Sequence, residues 1–117
     1  NIYGTGQQTR TFCYVADAIV GFMLVFLRGV PGEAYNIGNP KPELSVLDLA
    51  KRIESVLGHE VDYRVIEHPD SYPADEPNRR CPDIRKAELQ LDYTPTVQFD
   101  EGLRRFLEWT DANYAAE

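Results

Sequence analysis

The feature that most constrains the fold is an apolar stretch of ten residues, AIVGFMLVFL, at positions 18–27. It is too short to cross a bilayer, which takes about 20 apolar residues. Asp17 before it and Gly29 with Pro31 after it predict a helix that starts at Asp17 and ends near Arg28. Because apolar side chains point in almost every direction around this helix, it needs cover on several sides. A chain of 117 residues can scarcely supply that cover alone, so we expect partner structure.

The remaining patterns predict an α/β chain of short strands and about four helices. β-branched and aromatic residues predict short strands at 2–3, 11–15, 33–38 and 61–67. The spacing of apolar residues and the capping residues predict further helices at 45–57, 84–91 and 101–114.

The second of these four helices has the clearest boundaries. Ser45 and Asp48 resemble a capping box at its start, and Gly58 supplies the stop. Asp83 is a candidate cap for the short helix that follows it. Between them, residues 68–82 contain four prolines and predict a loop. A loop of this length in a compact domain more often has a function than serves only as a connection.

The net charge of −7 makes nucleic acid an unexpected partner, because an acidic surface repels phosphate backbones. Any anion site in this chain must therefore be local and built from a few arginines. The cysteines, Cys13 and Cys81, form no CxxC pair, and a reduced, cytoplasmic setting is the simplest interpretation. His59 and His68 lie apart from each other and from the cysteines, so no metal-site spacing occurs.

Arg10 is the first candidate for a binding role, because it lies between a glycine-rich turn and a strongly apolar segment. A planar guanidinium can hold a phosphate or carboxylate through two parallel hydrogen bonds. The alternatives are an internal carboxylate partner or simple exposure to water. Position alone does not decide between these readings.

Arg79 and Arg80 form the second candidate, in the segment PNRRCPD at 77–83. Neighbouring residues in extended backbone point to opposite sides, so at most one of the two is expected to reach a given ligand. The other would brace the loop. The competing reading is a solvated pair that neutralises Asp75 and Glu76, since surface ion pairs are common and weak.

Asn36 is the third candidate, between apolar neighbours in AYNIGN. A buried amide must find hydrogen-bond partners. These are either backbone groups or a ligand phosphate beyond the carboxyl end of a strand.

Several familiar catalytic patterns are missing from the sequence. It contains no GxGxxG or GxxGxxG dinucleotide fingerprint, no GxxxxGK[ST] and no GxSxG. No tyrosine is followed by lysine four residues later. The chain therefore shows no complete catalytic constellation, no cofactor-binding motif and no metal site.

Three segments nevertheless resemble a known family in the right order: YGTGQQTRTFCYVADAIVGF, YNIGNPKPELSVLDLAKRIESVLG and RRCPDIRKAELQLDYTPTVQFDEGLRRFLEW. They are similar to the carboxy-terminal, substrate-binding part of the NAD-dependent epimerase/dehydratase family, the extended Rossmann-type short-chain dehydrogenases that act on nucleotide sugars. The resemblance covers nearly all of residues 1–117. The ending RRCPDIRKA looks most like the UDP-glucuronate decarboxylases and their close epimerase relatives.

The resemblance implies a role for each candidate residue. Arg10 would contact the diphosphate or nucleotide of a UDP- or dTDP-sugar, with Asn36 near the same phosphates. Arg80, or alternatively Arg79, would close on the diphosphate or ribose from the loop. Weaker candidates are Gln8 and Tyr14.

The family's chemistry oxidises the sugar at C4 by hydride transfer to NAD, and the cofactor does the difficult part. NAD would be bound mainly by an amino-terminal Rossmann domain that this chain does not contain. The chain also starts directly on strand-like residues, NIYGTG, without a methionine, so we expect a larger parent protein. That parent is expected to be a homodimer, and the 117 residues alone are not expected to turn over.

Two positions depart from the family pattern. Asp92 stands where relatives usually have glycine, which is expected to affect a helix end and not the site. Cys81 stands where lysine or proline is more usual, and an inert small hydrophobe is the favoured reading over a reactive thiol.

Two other functions stay open. The chain could be a non-catalytic binding or structural module that associates through its apolar helix, since large apolar patches seek partners. It could also belong to a reductase that uses the same scaffold on a substrate without a nucleotide.

Overall fold

The computed structural model describes residues 1–69 and 77–114. The helices of this part are α1 (Val15–Arg28), α2 (Val46–Leu57), α3 (Arg85–Leu91) and α4 (Phe99–Tyr114). Its strands are β1 (Ile2–Tyr3), β2 (Thr9–Arg10), β3 (Leu44–Ser45), β4 (Val65–Ile66) and β5 (Arg79–Arg80). Four helices with short strands confirm the predicted α/β class.

The chain divides into two compact units, each made of two segments. The strand-bearing unit comprises Asn1–Arg10 and Glu43–Cys81, and it holds the five strands and α2. The helical unit comprises Thr11–Pro42 and Pro82–Glu117, and it holds α1, α3 and α4.

The strand-bearing unit contains two small sheets. In one, β1 pairs in parallel with β4. In the other, β2 lies between β3, to which it is antiparallel, and β5, to which it is parallel. The predicted turn between β1 and β2 depends on Gly4 and Gly6, which have φ angles of 72° and 71°. Side chains rarely tolerate such left-handed backbone, so glycine suits both positions.

Helix α2 begins and ends as predicted. The Ser45 hydroxyl accepts a hydrogen bond from the Asp48 backbone N–H at 3.0 Å and donates one to the Asp48 carboxylate at 2.7 Å. At the other end Gly58 has a φ of 75°, the left-handed conformation that stops helices.

Three strand predictions need correction. The strand predicted at 11–15 is wrong: the pairing residues are Thr9–Arg10, and α1 already begins at Val15. No strand forms at 33–38, where Tyr35 and Ile37 instead pack against the helical core. The strand predicted at 61–67 is reduced to Val65–Ile66. At 33–38 the β-forming side chains Tyr35 and Ile37 pack against the core without a hydrogen-bonded ladder, because strand preference largely measures how well a side chain packs.

The loop predicted at 68–82 lies partly outside the described residues, which omit 70–76. Its described end contains β5, a strand that was not predicted.

The core of the helical unit is built around α3. Its buried residues are Ile84, Ala87, Leu91 and Tyr93, with Leu24, Val25, Tyr35 and Ile37 packed against them. Helix α1 comes close to this core at Gly21. A Cβ there would press on Ile37 Cγ2 and lie 2.9 Å from Tyr93 Cε2, so a side chain has no room.

Asp17 was predicted to cap α1, and this is wrong. The helix begins at Val15, its N-cap is Tyr14, and no side chain caps it. Asp17 lies in the first turn and is only 7 % exposed. Its carboxylate accepts hydrogen bonds from the backbone N–H groups of Thr96, at 3.1 Å, and Val97, at 2.9 Å, and from the Thr96 hydroxyl at 3.0 Å. Asp17 therefore ties the segment before α4 to the start of α1.

Helix α1 ends at Gly29 as predicted, and it leaves many apolar side chains uncovered. Each of the following is at least 52 % exposed: Val15, Ile19, Val20, Phe22, Met23, Phe26 and Leu27. Within residues 1–69 and 77–114, no helix combines the length and apolarity needed to cross a membrane.

Asp92, one of the two departures from the family pattern, is the C-cap of α3. Its φ of 54° lies in the left-handed region, where glycine carries no steric penalty and other residues do. The departure therefore falls at a helix end, as predicted.

Candidate functional site

The strand-bearing unit brings Arg10 and Arg80 side by side. They are Cα partners in the parallel pairing of β2 with β5. Directly paired residues on neighbouring strands project to the same face, and the strands lie about 4.8 Å apart. Two guanidinium groups therefore extend from one face of this sheet, one from its central strand and one from an edge strand. Arg10 also donates a hydrogen bond from Nη1 to the Thr9 carbonyl oxygen at 2.7 Å.

Arg79 projects to the opposite face, where it meets a carboxylate. Its Nε and Nη2 donate to the two oxygens of Glu43 at 2.8 and 2.7 Å. The Thr9 hydroxyl donates to Glu43 Oε1 at 2.5 Å. These hydrogen bonds, from Arg79 first and then from Thr9, hold the pKa of the Glu43 carboxyl below its usual range. Glu43 is thus an anion at neutral pH.

The register places the two adjacent arginines on opposite faces, as extended backbone predicted. Glu43 holds Arg79, Arg80 shares a face with Arg10, and a ligand contact by either arginine stays a prediction. The competing reading, neutralisation by Asp75 and Glu76, falls on residues outside the described ranges.

Gln8 lies next to β2 in the same unit. Its side-chain Nε2 donates to the Tyr3 carbonyl oxygen at 3.0 Å, and its own carbonyl accepts from the Val46 N–H at 3.2 Å. Gln8 therefore links β1 to the start of α2, and a role in ligand binding stays a prediction.

Asn36 and Tyr14 belong to the helical unit. The Asn36 amide donates from Nδ2 to the Asp83 carbonyl oxygen at 3.0 Å, which is the backbone alternative considered for it. The Tyr14 ring lies 5.7 Å from the Arg105 guanidinium and packs against α4 at Gly102. Ligand contacts by Asn36 and Tyr14 stay predictions.

The helical unit also contains an apolar cavity of about 300 Å³. Its lining includes four aromatic side chains, namely Phe12, Tyr14, Phe99 and Phe106. Cys13 also lines it, and burial raises the pKa of this thiol. A raised pKa lowers the thiolate fraction, so Cys13 behaves as a small apolar residue and not as a nucleophile. Over the described ranges, no cluster of three or more His, Cys, Asp or Glu residues could hold a metal ion.

Glu43 and Thr9 are the partners that sequence reasoning missed. The sequence offered one weak indication of the role of Glu43, which is its position two residues before the capping residue Ser45. Since side chains two apart on a strand share a face, and Ser45 pairs with Thr9, the register of β2 with β3 would have placed Glu43 near Thr9. The strand pairing itself was not predictable.

Comparisons with known proteins agree on one family. The sequence profile described as GDP-mannose 4,6 dehydratase matches residues 1–106. UDP-glucuronic acid decarboxylase 1 of Xenopus tropicalis is 36 % identical over 108 residues, which cover 92 % of this chain and 24 % of that protein. The dTDP-D-glucose 4,6-dehydratase of Bos taurus is 36 % identical over 115 residues, which cover 97 % of this chain and 32 % of that protein.

A solved structure agrees with these relatives. UDP-glucuronic acid 4-epimerase from Bacillus cereus, in complex with UDP-glucuronic acid and NAD, superposes with a TM-score of 0.84 at 33 % identity. The match covers 97 % of this chain and 35 % of the epimerase chain. This chain therefore spans about a quarter to a third of the proteins it resembles.

Proposed function

The chain belongs to the GDP-mannose 4,6 dehydratase family, among NAD-dependent nucleotide-sugar epimerases and dehydratases, and from that premise we propose that it binds the nucleotide diphosphate of a sugar substrate. In this proposal the substrate is a UDP- or dTDP-sugar. The relatives named above act on such sugars, and one of them is solved with UDP-glucuronic acid bound.

The observation that carries the proposal is the register of β2 and β5, which pairs Arg10 with Arg80. Two guanidinium groups on one face can both donate to an anion that carries two phosphate groups. Such charge-assisted hydrogen bonds are about twice as strong as neutral ones. The diphosphate of a nucleotide sugar is such an anion.

The acidic background supports the same proposal. With a net charge of −7, the chain offers little general attraction to polyanions. A paired-arginine face on an otherwise acidic protein suits a small, compact anion and not a long phosphate backbone.

The rest of the reaction takes place in the longer parent protein. NAD is bound mainly by an amino-terminal Rossmann domain, which also supplies the catalytic groups, and the parent is a homodimer. Asn36, Tyr14 and Gln8 are secondary contacts to the nucleotide sugar, on the strength of the family resemblance.

The test is the affinity for UDP, measured by isothermal titration calorimetry on the parent protein. The substitution Arg10→Ala is expected to weaken binding by about 1.5–3 kcal/mol, the worth of hydrogen bonds to a charged group. That loss corresponds to roughly a 10- to 150-fold rise in Kd.

Arg64→Ala provides the matched control, because Arg64 is an exposed arginine of the same unit outside β2 and β5. It removes the same charge and is expected to leave the Kd nearly unchanged. An Arg10→Ala protein that binds UDP as tightly as the control would remove Arg10 from the site.

The exposed face of α1 favours a second candidate, a module that associates with another copy of itself. Patches of exposed apolar side chains of this kind commonly mark interaction sites. On this reading, sedimentation shows a dimer that the double substitution Phe22→Ser with Phe26→Ser converts to a monomer. Val30→Ser changes an apolar residue outside the helix that is 53 % exposed, and it leaves the dimer intact. A wild-type protein that stays monomeric at high concentration would exclude this candidate.

A further inference from the structure

Glu43 joins the three strands of the β3-β2-β5 sheet. It directly precedes β3, it holds Arg79 of β5 through two hydrogen bonds, and it accepts a third from Thr9 of β2. Only 27 % of the Glu43 side chain is exposed, although 65 % of the Arg79 side chain is. An exposed ion pair is usually worth little, but a bidentate pair with a further hydrogen bond is the geometry in which one matters.

The strand that this pair holds is short. β5 has two residues, and the backbone bond that leads into it runs from the Thr9 N–H to the Asn78 carbonyl oxygen at 2.8 Å. A strand pairing of only two residues fixes the register of β5 on β2 weakly. A slip of one residue moves every side chain of a strand to the other face. Such a slip would turn Arg80 away from Arg10.

We infer that Glu43 is a positioning residue: by holding Arg79 on one face of the sheet, it fixes the register of β5 and keeps Arg80 beside Arg10. The ligand it serves is the nucleotide diphosphate, so this inference rests on the proposed function. Glu43 lies on the face opposite the paired arginines and has no contact with the ligand.

Removal of Glu43 is expected to change the affinity for the anion in the direction opposite to the one that charge alone predicts. Removal of a carboxylate near an anion site ordinarily strengthens anion binding, because a repulsive charge is gone. Loss of the positioning contact instead weakens binding, because Arg80 no longer stays on the ligand's face. The direction of the change therefore separates the two effects.

The experiment measures the Kd for UDP on the parent protein by calorimetry, for wild type and Glu43→Ala, each with and without Arg80→Ala. Glu43→Ala alone is expected to raise the Kd by roughly tenfold, within the range of coupling between contacting residues. In the Arg80→Ala background the same change is expected to have almost no effect, since the arginine it positions is absent.

Two further variants complete the test. Glu60→Ala removes an exposed carboxylate of the same unit and is expected to leave the Kd unchanged or slightly lowered. Glu43→Gln retains the side-chain volume and an acceptor for Thr9, so it replaces Glu43→Ala if circular dichroism shows that the alanine variant is unfolded. It is expected to raise the Kd in the same direction.

Three other outcomes would overturn the positioning role of Glu43. Unchanged or tighter binding by the Glu43 variants, with Arg80→Ala still weakened, overturns the positioning role and leaves the proposed function standing. An equal loss from Glu43→Ala in both backgrounds also overturns it, because Glu43 then acts independently of Arg80. A wild-type protein that binds no UDP overturns the proposed function and this inference together.

Discussion

Replacement of Tyr93 by alanine is expected to lower the free energy of unfolding by about 3–5 kcal/mol, as for other large aromatic residues removed from a core. Tyr93 is 0 % exposed, and its ring packs against the α1 backbone at Gly21. Its hydroxyl donates to the Gly38 carbonyl oxygen at 3.1 Å, and burial holds the pKa of this hydroxyl well above its usual range. The hydroxyl therefore stays protonated as a hydrogen-bond donor, and the ring fills the core of the helical unit.

Urea unfolding followed by circular dichroism measures this loss. Tyr93→Phe is the matched control, because it keeps the ring and deletes only the hydroxyl. It is expected to lower the stability by about 0.5–1.5 kcal/mol for the hydrogen bond to Gly38, and it also removes the 3.7 Å contact of the hydroxyl with the Cys13 sulfur. If the alanine and phenylalanine variants lose similar amounts, the ring does not contribute the packing energy assigned to it.

The second large effect is expected at Asp17. Asp17→Ala removes the acceptor of two backbone N–H groups, those of Thr96 and Val97, at the junction between α1 and the segment before α4. Each N–H that stays buried without a partner costs about 1–3 kcal/mol. Asp17→Asn keeps the shape and one acceptor oxygen, so it is expected to lose less. Equal stability of wild type and Asp17→Ala would contradict the anchoring role.

The contribution of Asp17 is also expected to depend on pH. Burial acts to raise the pKa of this carboxyl, but the hydrogen bonds from Val97 and Thr96 outweigh it and lower the pKa overall. A group whose pKa is depressed by folding stabilises the folded state fully above its unfolded pKa, about 3.9 for aspartate. That stabilisation is lost as the pH falls through the lower, folded pKa.

The stability difference between wild type and Asp17→Ala should therefore be largest near neutral pH and shrink below about pH 4. Urea midpoints of both proteins at neutral and at strongly acidic pH measure this change. The comparison cancels the exposed ion pairs of α4, which both proteins share. If the stability difference between the two proteins is the same at both pH values, the negative charge of Asp17 does not contribute to its anchoring role.

The parts of the fold that were predictable from sequence are those fixed by local chemistry. The Ser45–Asp48 cap and the Gly58 stop of α2 involve residues close in the chain, and both are confirmed. The alternation of side chains along extended backbone likewise separated Arg79 from Arg80 before any pairing was known. The uncovered apolar face of α1 followed from the spacing of its apolar residues.

The parts that were not predictable depend on contacts between distant segments. Aspartate is a common helix-capping residue, so the sequence favoured a cap at Asp17. Its carboxylate instead accepts hydrogen bonds from residues 96–97, which are distant in the chain. The residues of segment 11–15 strongly favour strands, yet β3 and β5 pair with Thr9–Arg10 instead. The role of Glu43 was equally unpredictable, because its partners, Thr9 and Arg79, lie in two strands distant in the sequence.

The pairing of β2 with β5 also bears on when the proposed binding site forms during folding. Arg10 and Arg80 come from opposite ends of the sequence of the strand-bearing unit, so their meeting closes a long loop. Closure of long loops carries an entropic penalty that local helices do not have, and topologies rich in distant contacts fold slowly. Helix α2 can form early from its own residues, whereas the arginine pair exists only after the far strands have docked. If the proposed site is correct, nucleotide affinity is expected to return late in refolding, after the helical signal.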